Sequence, residues 1–211
     1  MRMGLGERGK TARPMAFALV LALGLIGTAA ASEITAPIEQ LDAGLLQVMK
    51  AGKAAPFQQR YTVLAPLVIR AVDLDSILER GVGPVWAAVP AAQQAVLRTA
   101  FQHYSIATYV SHFDEFGGER LDLIPPPAGG DTIVRVRIVP GKPGDETHTL
   151  GYAMRQMPSG WKAVDVTADS SISQVAAQQE EIHALVRMGG VDGLLARLQA
   201  KTAELSGGTV Q

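Results

Sequence analysis

Read from residue 36 onward, the chain changes its hydrophobic period twice, from helical spacing to strict alternation and back again. Ala36 to Ala51 opens with Pro37 in a first-turn position and repeats apolar residues at Ile38, Leu41, Leu45 and Val48, a helical stripe. A second helix is predicted after Pro56, with Phe57, Tyr61, Leu64 and Val68 on its buried side. Asp73 is placed to cap a short third helix through Ile77 and Leu78, which the "RGVGPVW" stretch breaks. Pro90 then starts the longest helix, Ala91 to about Phe116. Its first half keeps a polar stripe at Arg98, Gln102 and Ser105. Later Tyr109 and Phe116 fall on that side, and the helix becomes apolar nearly all round. Such a helix is buried on both flanks or lines something apolar.

Four strands are predicted next, Glu119–Ile124, Asp131–Val139, Glu146–Gln156 and Gly160–Thr167, separated by the turn sequences "PPPAGG", "PGKPGD" and "MPSG". Val134, Val136 and Ile138 alternate with Arg135 and Arg137, while Leu150, Tyr152 and Met154 share one face. This reads as an antiparallel meander with one apolar face, to be covered by helices or filled by a ligand. The two arginines suit a solvated face better than an anion site. Ser171 with Gln174 forms a capping-box pattern that opens a helix along Ile172, Val175, Ile182 and Val186. Gly189–Gly190 ends it, Asp192 starts a last helix through Leu194, Leu195 and Leu198, and "SGGTVQ", residues 206–211, reads as a disordered tail.

The first residues change the setting. Arg2, Arg8, Lys10 and Arg13 precede the apolar run Met15 to Ile26, and "GTAAAS" follows it, with Ala29-x-Ala31 as a cleavage site. Residues 1–31 therefore read as a secretory signal peptide, too short and wrongly flanked for a membrane span. Without them the net charge of −1 becomes −4, because four basic residues and only Glu7 are removed. That balance argues against nucleic acid and anionic membrane surfaces as main partners. The chain has no cysteine, hence no disulfide framework and no lipidated Cys at the cleavage site. The mature chain, from Ser32, is expected to be a soluble periplasmic monomer, with residues 32–205 as one domain.

Sites of known chemistry are scarce. His103, His112, His148 and His183 sit in no metal-ligand spacing, and no P-loop, Rossmann fingerprint, nucleophile elbow or Cys nucleophile is present. No metal or cofactor is expected. Asp165 lies between Val164 and Val166 at the end of the last strand, so it should face away from the apolar side. A carboxylate there is read as structural, holding the turn by accepting hydrogen bonds from backbone N–H groups or by pairing with an Arg, the alternative being a catalytic acid at a pocket mouth.

Three segments give a more specific likeness. "VPAAQQAVLRTAF" carries Pro90, Gln94 and Phe101, "GWKAVDV" is followed by "SIS", and "GGVDGLLARL" lies near the C-terminus. In order and spacing, from about Ile38 to Leu205, they resemble the MlaC family of periplasmic lipid-binding proteins, auxiliary components of lipid ABC transporters. The resemblance implies an α+β, NTF2-like fold: a curved four-stranded antiparallel sheet wrapped by helices, with additional N- and C-terminal helices. It also implies a non-enzymatic shuttle, carrying a lipid between inner- and outer-membrane complexes that it meets transiently. Two departures, Asp169-Ser170-Ser171 where the family usually has a Gly and "GVGPVW" for Leu-Gly-x-x-Trp, resemble the hopanoid-biosynthesis-associated branch. The ligand is thus expected to be a hopanoid or a phospholipid. Its floor is expected to be Val134, Val136, Ile138, Tyr152, Met154, Val164 and Val166, and its helical wall Phe101, Tyr104, Tyr109 and Phe113. The alternative is an NTF2-like isomerase or dehydratase using Tyr152, Asp165 or His148 as its acid or base.

Overall fold

The computed structural model describes residues 26–169 and 172–210. Most of the expected leader, and Ser171 with its expected capping role, lie outside the described residues. The first helix, α1 (Ile26–Ala51), starts ten residues before Ala36 and takes Pro37 within it. There follow α2 (Phe57–Ala71), α3 (Leu74–Val82) and α4 (Ala91–His112), then the strands β1 (Arg120–Ile124), β2 (Ile133–Val139), β3 (His148–Met157) and β4 (Gly160–Ala168). A two-residue strand, β5 (Ile172–Ser173), and the long helix α5 (Gln174–Ser206) complete the chain. The strands pair antiparallel in sequence order, so this is an α+β meander flanked by N- and C-terminal helices, as the sequence indicates.

The sheet's apolar face meets helices over most of its area. α1 packs on β1, β2 and β4, and α2 reaches β4. Ile38, Leu41, Leu45, Leu64, Val134 and Val136 are all at most 1% exposed, which makes this side a solid core. The outer face is ionic: Arg137 pairs with Asp122 at 3.2 Å and Arg135 with Asp131 at 3.1 Å, the solvated role expected of these arginines.

Short polar contacts fix the segments around Gln94 and Gly190. Gln94 Nε2 donates to the carbonyls of Trp86 and Val89, both at 3.0 Å, and so ties the start of α4 to the turn before it. Arg98, one turn on, lies 4.9 Å above the Trp86 ring. Buried Arg60 on α2 donates to Val110 O at 2.9 Å, placing a cation on the last turn of α4, where the helix dipole favours it. In the C-terminal segment, Gly190 adopts φ 63° and ψ −167° and breaks α5 into two helical parts, at the pair where the sequence predicted a stop. Only glycine takes that conformation readily. Asp192 just beyond accepts from Gln93 Nε2 at 2.6 Å, fastening the second part to α4.

The β3–β4 ladder carries two irregular features. The β3–β4 ladder pairs Ala153 with Asp165 but Met154 with Ala163, so Val164 is an unpaired bulge residue. Its carbonyl accepts from Arg80 at 3.0 Å. Across the same ladder, a side chain at Gly151 would put Cβ 2.6 Å from Thr167 Oγ1, so the close approach there requires glycine. Asp169 has φ 48°, a left-handed conformation that Asp tolerates better than most residues. Its carboxylate accepts from Thr149 N at 2.9 Å and meets His148 Nδ1 at 3.0 Å. These two contacts hold the left-handed turn in place.

Two local expectations change. The cap of α5 is Ser173, whose Oγ accepts from Ala176 N at 2.8 Å, and Ile172 belongs to β5. The pairing of Thr167 with Ser173 holds the chain extended there, moving the helix start two residues on. The C-terminal residues turn back, and Val210 is buried with its N–H donating to Ser206 Oγ at 3.2 Å.

Candidate ligand cavity

Between α3, α4, the first half of α5 and the β3–β4 side of the sheet lies a cavity of about 560 Å³. That is within the usual range for small-molecule sites, roughly 300–1,000 Å³. The cavity lies where α3, α4 and α5 face the β3–β4 side of the sheet, next to the bulge. Leu150, Tyr152, Val166 and Ala168 form the floor, and Val72, Leu74 and Ile77 one end. The wall is α4, which presents Tyr104, Ser105, Thr108, Tyr109 and His112 at helical spacing, with Phe113 following. The Tyr109 and Phe113 rings stack at 6.2 Å. Gln174, Val175, Ala177, Gln178 and Glu181 of α5 close the remaining side, and His112, Gln174 and Glu181 are exposed at the mouth.

Five of the eleven expected ligand-contacting residues meet here: Tyr104, Tyr109, Phe113, Tyr152 and Val166. The other six are placed elsewhere. Val134, Val136 and Met154 are in the solid core, 0–3% exposed, because alternation fixes the face but not what covers it. Ile138 is half-buried opposite His148, near the end of β2. Val164 is displaced by the bulge, and Ala163 takes the inward position. Phe101 is 1% exposed and faces Ile182, Leu194 and Leu198 of α5.

The alternative acid–base candidates are not brought together. Tyr152 lines the cavity, whereas His148 is outside it, bonded to Asp169. Asp165 accepts from its neighbour Val166 N and from Ser173 Oγ, both at 2.7 Å. Because Ser173 Oγ in turn receives Ala176 N, Asp165 braces the cap of α5. Its carboxylate holds a turn. Asp165→Asn keeps an acceptor oxygen and should leave the urea midpoint near that of the parent. Asp165→Ala loses both bonds and should cost about 1–3 kcal/mol. Equal midpoints for the Ala variant and the parent would show that the brace carries no load.

A residue missed in the sequence lies behind the floor. Asp42 of α1 is 7% exposed, and its Oδ2 has no hydrogen-bond partner. Burial, and secondarily the nearby Glu39 carboxylate, push its carboxyl up to about 7. Burial also raises Tyr109 to about 12 and Tyr152 well above the ordinary phenol range, with the Asp42 charge adding to both. The signal was present: Asp42 interrupts the apolar stripe between Leu41 and Leu45. Ser105, also buried, leaves its Oγ unpartnered on the cavity wall.

Among the described residues, no group of three or more His, Asp or Glu side chains could hold a metal ion, and no helix is long and apolar enough to cross a membrane. A family model described as MlaC protein matches residues 39–200. Among solved structures, a phospholipid-binding protein from Ralstonia solanacearum, in complex with a phospholipid, is similar with a TM-score of 0.64 at 19% identity. The likeness covers 84% of this chain and 98% of that one.

Proposed function

Because the chain belongs to the MlaC protein family, matched over residues 39–200, we propose that the cavity between α4 and α5 holds the apolar part of a lipid and that the protein carries it in solution. The carrying observation is the cavity: about 560 Å³, floored and walled mainly by apolar and aromatic side chains, and open at a polar mouth. Burying apolar ligand surface stabilises a complex by roughly 25 cal/mol per Å² before association costs, so a tail or ring system alone can hold it. The bound phospholipid of the Ralstonia protein, on the same fold, supports this reading.

In this proposal residues 1–31 export the chain to the periplasm, residues 32–205 form the carrier, and it passes lipid between inner- and outer-membrane complexes. The contacting residues are Tyr104, Tyr109, Phe113, Tyr152 and Val166, joined by Leu150, Leu74 and Ile77. A hopanoid is the ligand that the departures at Asp169 and "GVGPVW" favour over a phospholipid.

Val166→Trp tests it. The indole fills space that lipid would occupy, at a site with room to take it, so the variant should lose most co-purifying lipid while its melting temperature stays within a few degrees of the parent. Native mass spectrometry of protein purified from its own host reads the lipid. A full complement of lipid in a folded variant would place the ligand elsewhere.

One observation favours a second reading. A carboxyl titrating near 7 beside two buried tyrosines is a donor set that acid–base catalysis uses. Recovering the bound molecule chemically converted, with the conversion lost in Asp42→Asn, would replace the carrier with an enzyme.

A further inference from the structure

The charges around the cavity have a sign, and it is the wrong one for an anionic lipid. Among the described residues no arginine or lysine lines it, and the lining has one carboxylate, Glu181, and one imidazole, His112, both exposed. Arg197 and Lys201 line a separate small crevice that shares Tyr104, Gln178 and Glu181 with the cavity. They are turned to Glu204, which Lys201 meets at 2.8 Å and whose carboxyl both cations hold low.

The other natural anion site is also filled. The first turn of α5 borders the cavity, and a helix N-terminus attracts phosphate through its free N–H groups and dipole. Here Ser173 Oγ takes Ala176 N at 2.8 Å, and the Asp165 carboxylate sits 2.7 Å from that hydroxyl. A negative charge is already built into the end of the helix. Deeper in, Asp42 adds a further carboxyl behind Tyr109 and Tyr152. A phosphodiester held at the mouth, with the apolar part of the lipid inside, meets the Glu181 carboxylate and no lining cation among the described residues.

The wall offers neutral hydrogen-bonding groups instead. Ser105 Oγ is buried, unpartnered and on the lining; the Tyr109 and Tyr152 side chains and the Gln174 and Gln178 amides border the same space. On the premise that the cavity binds lipid, we infer that it selects lipids whose polar end is uncharged and hydroxyl-bearing, and discriminates against anionic phospholipids.

The test uses the full mature protein, stripped of lipid. It is incubated with vesicles containing equal amounts of phosphatidylglycerol and a glucosyl diacylglycerol with the same acyl chains, and native mass spectrometry reads the bound species. The neutral glycolipid should be bound in about fivefold excess or more, a difference that one unpaired charge readily supplies. Glu181→Lys, at an exposed position that folding does not depend on, should shift the ratio several-fold toward phosphatidylglycerol. Parity or a phosphatidylglycerol excess in the parent would overturn the inference, as would an unchanged ratio in Glu181→Lys. Binding of neither lipid would count against the carrier reading itself and take the selectivity with it.

Discussion

At pH 8, Asp42→Asn melts several degrees above the parent, and at pH 4 the two melt together. The reason is a buried acid without a hydrogen-bond donor at Oδ2. In the unfolded chain Asp42 titrates near 3.8, whereas in the folded protein burial pushes it up to about 7. Below 3.8 both states hold the proton, and the residue's contribution to stability is fully present. As pH rises, the unfolded chain releases the proton first, so stability falls until the folded protein also ionises near 7. Above that the loss is complete. The spread from 3.8 to about 7 corresponds to a ceiling of about 4 kcal/mol. At roughly 2–4 °C per kcal/mol for a chain of this size, that ceiling corresponds to a gain of at most about 8–16 °C. Asn has the same shape and no charge to desolvate. Thermal melts of both proteins from pH 4 to 9 check it, and a gap that does not change with pH would exclude the carboxyl as its source.

Phe101→Ala should be the most damaging single truncation in α4, costing about 3–5 kcal/mol while leaving lipid content unchanged in the protein that remains folded. The side chain is 1% exposed and sits between α4 and both parts of α5, against Ile182, Leu194 and Leu198. Removing it leaves a void at a three-way junction whose helices are fastened independently, Gln93 to Asp192 among the ties, so collapse is incomplete. Had Phe101 been a cavity wall, as its place in the aromatic series of α4 suggested, truncation would cost little stability and disturb the ligand. Urea unfolding and lipid mass spectrometry on one sample separate the two. Loss of lipid at unchanged stability would move Phe101 back to the cavity.

Most of the architecture was legible because periodicity reports it directly. The change from a stripe at Ile38, Leu41 and Leu45 to alternation at Val134, Val136 and Ile138 marks the helix-to-sheet boundary without further help. The cavity was legible only in part. Alternation told which way Val136 and Tyr152 point, yet one lies under α1 and the other over empty space, and that depends on how far the helices stand from the sheet. The bulge at Val164 was hidden for a related reason: one extra residue reverses the facing of its neighbours, and nothing in "KAVDVT" marks it. Asp165 was read correctly as a turn-holding group, since its chemistry is local. Asp42 is the reverse case, a plain break in an apolar stripe whose meaning lies across the molecule in Tyr109 and Tyr152.

The left-handed residue inside α5 divides the helix into segments with separate fates under exchange with solvent. Amides of the first segment, over the cavity, share a hydrogen-bonded run that ends at Gly190, so opening there need not propagate into the part pinned to α4. Deuterium uptake should therefore show two plateaus along one continuous element, the earlier one covering Gln174 to Met188. A helix without this interruption would exchange as one block, and the wall of the cavity could then loosen only when the whole C-terminal region did.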